Sequence, residues 1–328
     1  MKAPKFWNKD SSSILPLLLS PFSAAYAFVD KINRGRSPKG TVAVPVICVG
    51  NVVAGGAGKT PVAIALAQFL INSGWRVHFL SRGYGGTATD PVRVVQDVHT
   101  SAQVGDEPLL LASIAPTWVA KDRVLGAKEA VNAGAEIIVM DDGLQNPSLH
   151  KDISLIVIDG GFGLGNGRLI PAGPLRESLE QAAIRSDAII LVGGDIERQH
   201  NTQFNIPVFG AKIVPHALQA ELVGEKVVAF AGIGRPEKFF TSLLDAGADV
   251  VDVVEFPDHY AYTQEDVMKL VEKAALHSAA LVTTRKDYVR LSPEAKMMTT
   301  VFDVDLVFDQ TKGLQKLLID RLGRREHA

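Results

Sequence analysis

A glycine-rich segment between an apolar run and a helix-forming run is the strongest chemical pattern in this 328-residue sequence: VGNVVAGGAGKTPVAIAL, residues 49–66. In a strand–loop–helix unit of this kind, backbone N–H groups and the helix N-terminus bind phosphate oxygens. Lys59 is then expected to reach the β- and γ-phosphates, and the Thr60 hydroxyl to bind Mg²⁺. The pattern G-x-x-x-x-G-K-[ST] fails only at its first position, which is Val53. The segment predicts a nucleoside triphosphate site held by Gly55, Gly56, Ala57, Gly58, Lys59 and Thr60.

Two acidic positions could order a metal ion beside this loop. Asp141 and Asp142 follow the apolar run AEIIVM, and Asp159 follows ISLIVI. Paired carboxylates are costly unless a cation neutralises them, which favours the doublet as the Mg²⁺ site. Helix capping by the same acids is the alternative. Asp159 precedes two glycines and is expected to serve a turn.

Short apolar runs alternate with helical stretches and must position these residues. The first series of runs covers 44–50, 75–81, 136–142, 153–159 and 187–194, with a helix at 61–73. Such runs indicate strands buried on both faces of a parallel sheet, whose ligands bind beyond the carboxyl ends of the strands. A second series covers 227–233, 249–256, 279–287 and 300–308, with helices near 236–246 and 263–276.

The predicted fold class is therefore α/β: a P-loop NTPase-like parallel sheet with helices on both faces, plus a smaller second α/β domain. The predicted divisions are an N-terminal segment at 1–40, a P-loop kinase domain at 41–215 and a C-terminal domain at 216–328. A linker is expected around 210–222, where IPVFGAKIVPHALQAEL has two prolines and no clear helical period.

Composition excludes several classes of function. The net charge of −2 provides no global basic field for nucleic acid, and Cys48 is the sole cysteine, so neither an internal disulfide nor a multi-cysteine zinc site can form. Hydrophobic residues make up 47% of the chain, as in ordinary α/β proteins.

The N-terminus carries an uncharged apolar run from Ile14 to Val29 with lysines and arginines on both sides. The run is shorter than the roughly 20 residues that span a bilayer, and Pro16 and Pro21 interrupt it. A monotopic segment at a membrane interface is favoured, with a helical hairpin packed on the protein's own core as the alternative.

Further segments follow the phosphate loop in a fixed order. They are SRGYGG (81–86), VGDEPLLLA (104–112), MDDGLQN (140–146), GLGNGRLIPAGPLRES (163–178), FAGIGRPEKFF (230–240), FPDHYAYT (256–263) and TTRKD (283–287). With the apolar N-terminus, they resemble the tetraacyldisaccharide 4′-kinase (lipid A 4′-kinase) family over essentially the whole chain. Two positions depart from the family pattern: Asn146 replaces a histidine, and Arg285 replaces a glutamate.

The resemblance implies an enzyme that uses ATP and Mg²⁺ to phosphorylate the 4′-hydroxyl of tetraacyldisaccharide 1-phosphate, giving lipid IV-A. It implies a peripheral protein on the cytoplasmic face of the bacterial inner membrane, with the acylated disaccharide as partner. No nucleic acid and no obligate protein partner are expected. A membrane-tethered P-loop switch or metal-insertion factor, and a nucleotide-binding module without phosphotransfer, are the alternatives.

The resemblance also suggests roles for individual residues. Asp106 is the candidate base, with His259 as its partner from the second domain. A helix N-terminus at Asp106 and an ordinary loop histidine are the alternatives. The other implied residues are Arg176 and Glu177 for ATP or Mg²⁺, and Glu107, Gln145 and Asn146 for the substrate. Arg82 and Arg123 could bind the substrate's 1-phosphate or the transferring group, since a guanidinium binds phosphate bidentately. Surface solvation is the alternative for Arg123.

Overall fold

The computed structural model describes residues 4–34, 38–194, 206–216 and 221–323. Strands are numbered along the chain: β1 Val46–Gly50, β2 Val77–Ser81, β3 Val92–Arg93, β4 Thr117–Val119, β5 Ile137–Asp141, β6 Ile153–Asp159, β7 Ala188–Val192, β8 Val208–Pro215, β9 Lys226–Ala231, β10 Asp249–Glu255, β11 Ala280–Thr284, β12 Thr300–Phe302 and β13 Val304–Phe308.

The α-helices are numbered in the same way: α1 Leu15–Leu18, α2 Ser20–Arg34, α3 Lys59–Asn72, α4 Ser101–Val104, α5 Asp106–Leu111, α6 Arg123–Asn132, α7 Leu179–Ala183, α8 Pro236–Asp245, α9 Gln264–Leu276, α10 Arg285–Tyr288, α11 Pro293–Met297 and α12 Thr311–Leu322. A short 3₁₀ turn at Lys5–Trp7 precedes them.

The larger lobe is built on a nine-stranded sheet in the order β13-β8-β7-β6-β1-β5-β2-β4-β3. Its central strands are parallel, and every residue of β1, β2, β5, β6 and β7 is buried. Helix α3 packs on one face through Val62, Leu66 and Leu70. Helices α6 and α7 contribute apolar side chains to the core on the other face. The predicted α/β architecture with helices on both faces is confirmed.

The smaller lobe is built on a four-stranded parallel sheet in the order β10-β9-β11-β12. Helix α8 covers one face through Phe239 and Leu243, and helix α9 covers the other through Val267 and Leu270. A second α/β unit was predicted from the second series of apolar runs; β10 and β11 lie within those runs, and β9 begins one residue before its run.

The C-terminal end of the chain differs from the sequence-based division. The run 300–308 is two strands that separate at Asp303: β12 stays in the small sheet, and β13 pairs antiparallel with β8 of the large sheet. Leu314 and Leu318 of α12 then pack into the large lobe's core. Residues 304–322 therefore belong with the large sheet rather than with a domain at 216–328. Strand β8 also covers the first part of the predicted linker, residues 210–215, and residues 217–220 of the linker lie outside the described part of the chain.

The N-terminal helices are attached to the large lobe by polar contacts. Ser23 donates to the Leu169 carbonyl at 2.9 Å and accepts from the Ala172 N–H at 3.1 Å, and the Trp7 indole donates to the Pro171 carbonyl at 3.1 Å. Large apolar side chains of this segment stay exposed, among them Ile14, Leu17, Phe22 and Phe28. Within the described residues, no helix combines the length and hydropathy needed to cross a bilayer.

Candidate active site

One cleft of about 1810 Å³ lies between the two lobes, beyond the carboxyl ends of β1, β5 and β6. The glycine-rich loop, Asp141 and Asp142 line it from the large lobe. His259 and Lys286 line it from the small lobe. This is the edge at which parallel α/β sheets bind ligands.

The glycine-rich loop connects β1 to α3 and has the geometry of a phosphate cradle. Gly58 is the N-cap of α3 with φ of 81°, a left-handed conformation that glycine adopts without strain. Helix α3 then begins at Lys59, so its unpaired N–H groups face the cleft. Ala54 N–H donates to the Pro174 carbonyl at 2.7 Å, which fixes the loop against the PAGPLRE segment. The loop can therefore hold a polyphosphate.

The two acids of the doublet have different surroundings. Thr60 Oγ1 donates to Asp141 Oδ2 at 3.0 Å, whereas the buried Asp141 Oδ1 has no hydrogen-bond partner. Burial raises the pKa of Asp141 to about 7. Burial also raises the pKa of Asp142, but Lys59 and Arg176 outweigh it and bring that pKa below its usual value. Asp141 thus has the unpartnered buried oxygen that a divalent cation would use, whereas Asp142 forms ion pairs with Lys59 and Arg176.

Asp142 connects the glycine-rich loop to the PAGPLRE segment. Its carboxylate lies 3.6 Å from Lys59 Nζ and 3.2 Å from Arg176 Nη1. Its φ of 53° is uncommon for a residue with a side chain, and such strain persists where surrounding contacts impose it. Lys59, Thr60, Asp141, Asp142 and Arg176 therefore form one cluster.

Glu177 is connected to that cluster through Gln145 and is not part of the cleft lining. Its fully buried carboxylate accepts from Gln145 Nε2 at 2.9 Å and from Arg185 Nη2 at 2.5 Å. Gln145 Nε2 also donates to the Asn51 carbonyl at 2.7 Å, and Gln145 Oε1 accepts from Arg176 at 3.3 Å. Glu177 thus supports Arg176 and the loop through Gln145.

Asp159 serves the turn after β6, as predicted, and also joins the lobes. Its Oδ1 accepts from the N–H groups of Gly161 and Phe162. Its Oδ2 accepts from Arg235 at 2.8 Å and Lys238 at 2.6 Å, both at the start of α8. The second pair of contacts was not apparent from sequence, because nothing in the local pattern relates β6 to a helix in the other lobe.

Asp106 and His259 meet across the lobe boundary, with His259 Nδ1 2.9 Å from Asp106 Oδ2. Asp106 is at the start of α5, and the Glu107 N–H donates to its Oδ1, so the helix N-terminus expected as an alternative is also present. Burial raises the pKa of Asp106, but hydrogen bonds with the side chains of His259 and Glu107 and the charge of Lys286 bring it below its ordinary value. The hydrogen bond to Asp106 raises the pKa of His259.

Exposure distinguishes the roles of these two residues. The Asp106 side chain is 3% exposed, while that of His259 is 33% exposed and lines the cleft. His259 also has φ of 59°, and the Tyr84 ring packs near its imidazole with centroids 5.9 Å apart. The imidazole is therefore the member of the pair that a bound molecule can touch.

Lys286 completes this second cluster, and the sequence analysis did not single it out. Its Nζ lies 2.8 Å from Glu107 Oε1 and 3.5 Å from His259 Nε2. Glu107 and Asp106 raise the pKa of Lys286 against the effect of burial, and burial raises that of Glu107. Asp106, Glu107 and His259 are close enough to ligate a metal, but Lys286 already neutralises the acids. The TTRKD motif was the available signal for this lysine.

Three further predicted residues line the cleft: Arg82, Arg123 and Asn146. Arg123 is only 2% exposed and donates to the Ala120 carbonyl, so the solvated alternative is wrong. Burial and the nearby Arg82 lower the pKa of Arg123 to about 10, and its buried Nε has no partner. Two neighbouring guanidiniums with an unpartnered Nε favour the binding of an anion at this wall of the cleft.

Asn146 accepts through Oδ1 from the Ser148 N–H and hydroxyl, which stabilises the turn after Asp142.

A P-loop, an acid doublet after β5 and a second lobe that contributes a histidine define a two-lobed P-loop nucleotide-binding protein of the kinase class. The family model for tetraacyldisaccharide-1-P 4′-kinase matches residues 15–323. The chain therefore belongs to this family.

Relatives of known name agree with this assignment. The tetraacyldisaccharide 4′-kinase of Paramagnetospirillum magneticum is 49% identical and aligns with 99% of this chain and 100% of its own length. That of Rhodospirillum rubrum is 49% identical, with 98% of each chain aligned. The crystal structure of LpxK from Aquifex aeolicus in complex with ATP superposes with a TM-score of 0.75 at 26% identity, covering 94% of this chain and 99% of that one.

Proposed function

We propose that the protein transfers the γ-phosphate of ATP to the 4′-hydroxyl of tetraacyldisaccharide 1-phosphate, giving lipid IV-A. The observation that carries this proposal is the position of the Asp106–His259 pair, on the wall of the same cleft that contains the glycine-rich loop. A nucleotide switch has no need of a proton acceptor placed opposite its phosphate loop, whereas a kinase with an alcohol acceptor does.

ATP is the proposed phosphate donor. The loop from Gly55 to Thr60 offers backbone N–H groups and the start of α3 to the phosphates, and Lys59 lies at the same end of the cleft. Lys59 and Arg176 are the cations that would stabilise charge on the transferring group. Their contacts with Asp142 hold both side chains in place beforehand.

Mg²⁺ fits the residues present. Asp141 has one buried oxygen without a partner, and the Thr60 hydroxyl is hydrogen-bonded to its other oxygen. Hard oxygen ligands of this kind suit Mg²⁺, which would neutralise phosphate charge when bound. We propose Thr60 and Asp141 as its protein ligands, with Asp142 nearby and Glu177 supporting the cluster from behind through Gln145.

The acceptor hydroxyl is proposed to bind at His259. With Nδ1–H donated to Asp106, Nε2 carries the lone pair that accepts a proton from the attacking hydroxyl, which must take the place of Lys286 Nζ, 3.5 Å from Nε2. The sugar oxygen forms the new bond to the γ-phosphorus, the bond to the bridging β-phosphate oxygen breaks, ADP leaves, and the proton passes to Nε2. Asp106 then stabilises the imidazolium as a buried carboxylate. From the sequence, Asp106 was expected to be the base and His259 its partner. Because Asp106 is 3% exposed and His259 33% exposed, we propose instead that the imidazole accepts the proton and that the two residues act as one unit.

The 1-phosphate and the acyl chains have separate proposed sites. Arg82 and Arg123 are two cations on the cleft wall with an unpaired buried Nε, which suits a phosphate monoester. Glu107, Gln145 and Asn146 remain proposed substrate contacts. The exposed apolar side chains of α1 and α2 are proposed to lie in the cytoplasmic face of the inner membrane, where the lipid substrate resides.

Transfer of label from ATP to lipid tests this proposal. The protein is incubated in detergent with γ-labelled ATP and tetraacyldisaccharide 1-phosphate, and the lipid is extracted. We expect label in the lipid fraction, and none with Lys59→Ala, whose fold should persist because the lysine is a helix-terminal side chain at the cleft. Slow release of labelled inorganic phosphate with none in the lipid would instead favour a nucleotide switch.

A further inference from the structure

Arg290 is a buried arginine in contact with Asp106 of the Asp106–His259 pair. Its side chain is 3% exposed. Nη1 donates to the Gly232 carbonyl at 3.1 Å and to the Tyr260 carbonyl at 3.2 Å, and Nε donates to the Lys286 carbonyl at 3.0 Å. One guanidinium therefore ties together three backbone segments of the small lobe.

Two of these segments hold His259 in place. Tyr260 is the next residue in the chain, and the Gly232 carbonyl that Arg290 contacts also accepts the His259 N–H at 3.1 Å. His259 has a positive φ, a conformation that a residue with a side chain keeps only where surrounding contacts impose it. The contacts from Arg290 are of that kind.

The same guanidinium reaches the other lobe. Arg290 Nε lies 3.4 Å from Asp106 Oδ2, the oxygen that holds His259 Nδ1. Arg290 is thus in contact with the carboxylate of the pair on one side and with the loop of the imidazole on the other. Lys286 also lies near both members of the pair, but at the cleft, whereas Arg290 is a buried cation that holds the carboxylate and the backbone on either side of the imidazole.

A second acid fixes Arg290 itself. Arg290 Nη2 lies 3.2 Å from Asp287 Oδ1, and Asp287 is fully buried. The same oxygen accepts from the Tyr262 hydroxyl at 2.6 Å and the Gly232 N–H at 2.8 Å. The planar fork of arginine can meet carboxylates and carbonyls in several directions at once, which the point charge of lysine cannot do.

We propose that Arg290 is a positioning residue for phosphotransfer: it holds Asp106 and His259 in register across the lobe boundary. The proposal rests on the proposed function, since it assigns Arg290 to the proton-accepting pair of that reaction. Arg290 touches neither substrate nor nucleotide in this account. Its effect should therefore appear in kcat and in the coupling between Asp106 and His259, with the KM for ATP unchanged.

The test compares Arg290→Lys with Arg321→Lys, an arginine paired with Asp187 outside the cleft lining. We expect Arg290→Lys to lower kcat by about 10²-fold, the order expected when reacting groups shift by an ångström. The KM for ATP should not change, and Arg321→Lys should behave as wild type. In the Arg290→Lys enzyme, the further change His259→Ala should lower kcat by less than about tenfold, because Asp106 and His259 are then already displaced from each other.

A merely structural role predicts a different pattern. Arg290→Lys would then lower the Tm but leave kcat per folded molecule intact, with the full cost of His259→Ala retained, and this would overturn the proposal. If Arg290→Lys does not fold, Tyr262→Phe decides, because it removes one hydroxyl from Asp287 and keeps the aromatic packing with Phe230 and Phe256. A several-fold loss of kcat supports the proposal, and an unchanged kcat refutes it. Absence of lipid labelling by the wild-type enzyme would instead contradict the proposed function.

Discussion

His259 Nδ1 lies 2.9 Å from Asp106 Oδ2, although the two residues belong to different lobes and are separated by 153 positions in the chain. The proposed proton acceptor therefore exists only when the lobes are docked. The lobes are also joined by Asp159 with Arg235 and Lys238, and by Glu107 with Lys286. Charged contacts between the lobes thus accompany the pair in a cleft whose lining also includes the phosphate loop.

The pH dependence of kcat should report the Asp106–His259 contact. The hydrogen bond from Asp106 raises the pKa of His259 above its ordinary value near 6.5. Because Nε2 must be unprotonated to accept the hydroxyl proton, kcat should fall as pH is lowered through that raised pKa. Asp106→Asn removes the raising contact, so the acid limb of its residual activity should move to lower pH. Glu180→Gln, at an exposed acid of α7, is the matched control and should leave the limb in place.

The Mg²⁺ requirement should separate the acids that end β5 and β6. Asp141→Asn removes the charge beside the unpartnered oxygen, so the Mg²⁺ concentration for half-maximal activity should rise by about tenfold or more. Asp159→Asn loosens contacts with Arg235 and Lys238 and should leave the Mg²⁺ requirement unchanged. Titration of activity with Mg²⁺ at saturating ATP measures both. A larger shift for Asp159→Asn than for Asp141→Asn would contradict the placement of the metal site at the end of β5.

The apolar N-terminal helices should contribute to lipid binding and little to folding. Phe22 and Phe28 are 65% and 68% exposed, so changing both to serine should leave the Tm nearly unchanged. Burying such a side chain in an apolar phase contributes up to about 1.5–3 kcal/mol, so co-sedimentation with anionic vesicles should weaken at least about tenfold. The KM for the lipid should rise more than the KM for ATP.

Exposed apolar residues in the small lobe provide the control for that experiment. Leu276→Ser and Met297→Ser replace side chains that are 82% and 88% exposed. If these variants lose vesicle binding as much as the N-terminal ones do, the membrane contact is not specific to α1 and α2. A large drop in Tm for the N-terminal variants would instead favour packing on the protein's own core.

The large sheet and the phosphate loop were predictable because their signals are local. A continuous apolar run such as ISLIVID is sufficient to indicate a strand that is buried on both faces. The residues Gly58-Lys59-Thr60 after β1 indicate where α3 begins. The doublet at Asp141 and Asp142 was predictable for the same reason, since it ends a strand beside β1. Local sequence, however, could not distinguish the acid with the free oxygen from the acid paired to Lys59.

Long-range pairings could not be predicted in the same way. The run 300–308 has one continuous hydrophobic pattern, but its residues belong to two different sheets. The pairing of β13 with β8 depends on the path of the chain between the lobes, which the local pattern does not contain. The roles of Lys286 and Arg290 likewise depend on docking of α10 against α5. Glu177 was assigned by resemblance to the metal, whereas Arg185 and Gln145 hold it in the structure. Asp106 and His259 were paired by resemblance alone, since each also fits an ordinary helix start or loop.

The double-mutant cycle of Asp106→Asn and His259→Ala tests the central claim most directly. Single-turnover rates are measured for the four enzymes at saturating ATP and lipid, with ATP affinity determined separately. Each single change should lower the rate by about 10²–10⁴-fold with ATP affinity nearly unchanged, since the nucleotide is held by the loop around Lys59. The double variant should be little slower than Asp106→Asn, because the two residues act as one unit. Fully multiplicative losses would contradict the account and leave His259 as an ordinary loop histidine beside a helix start.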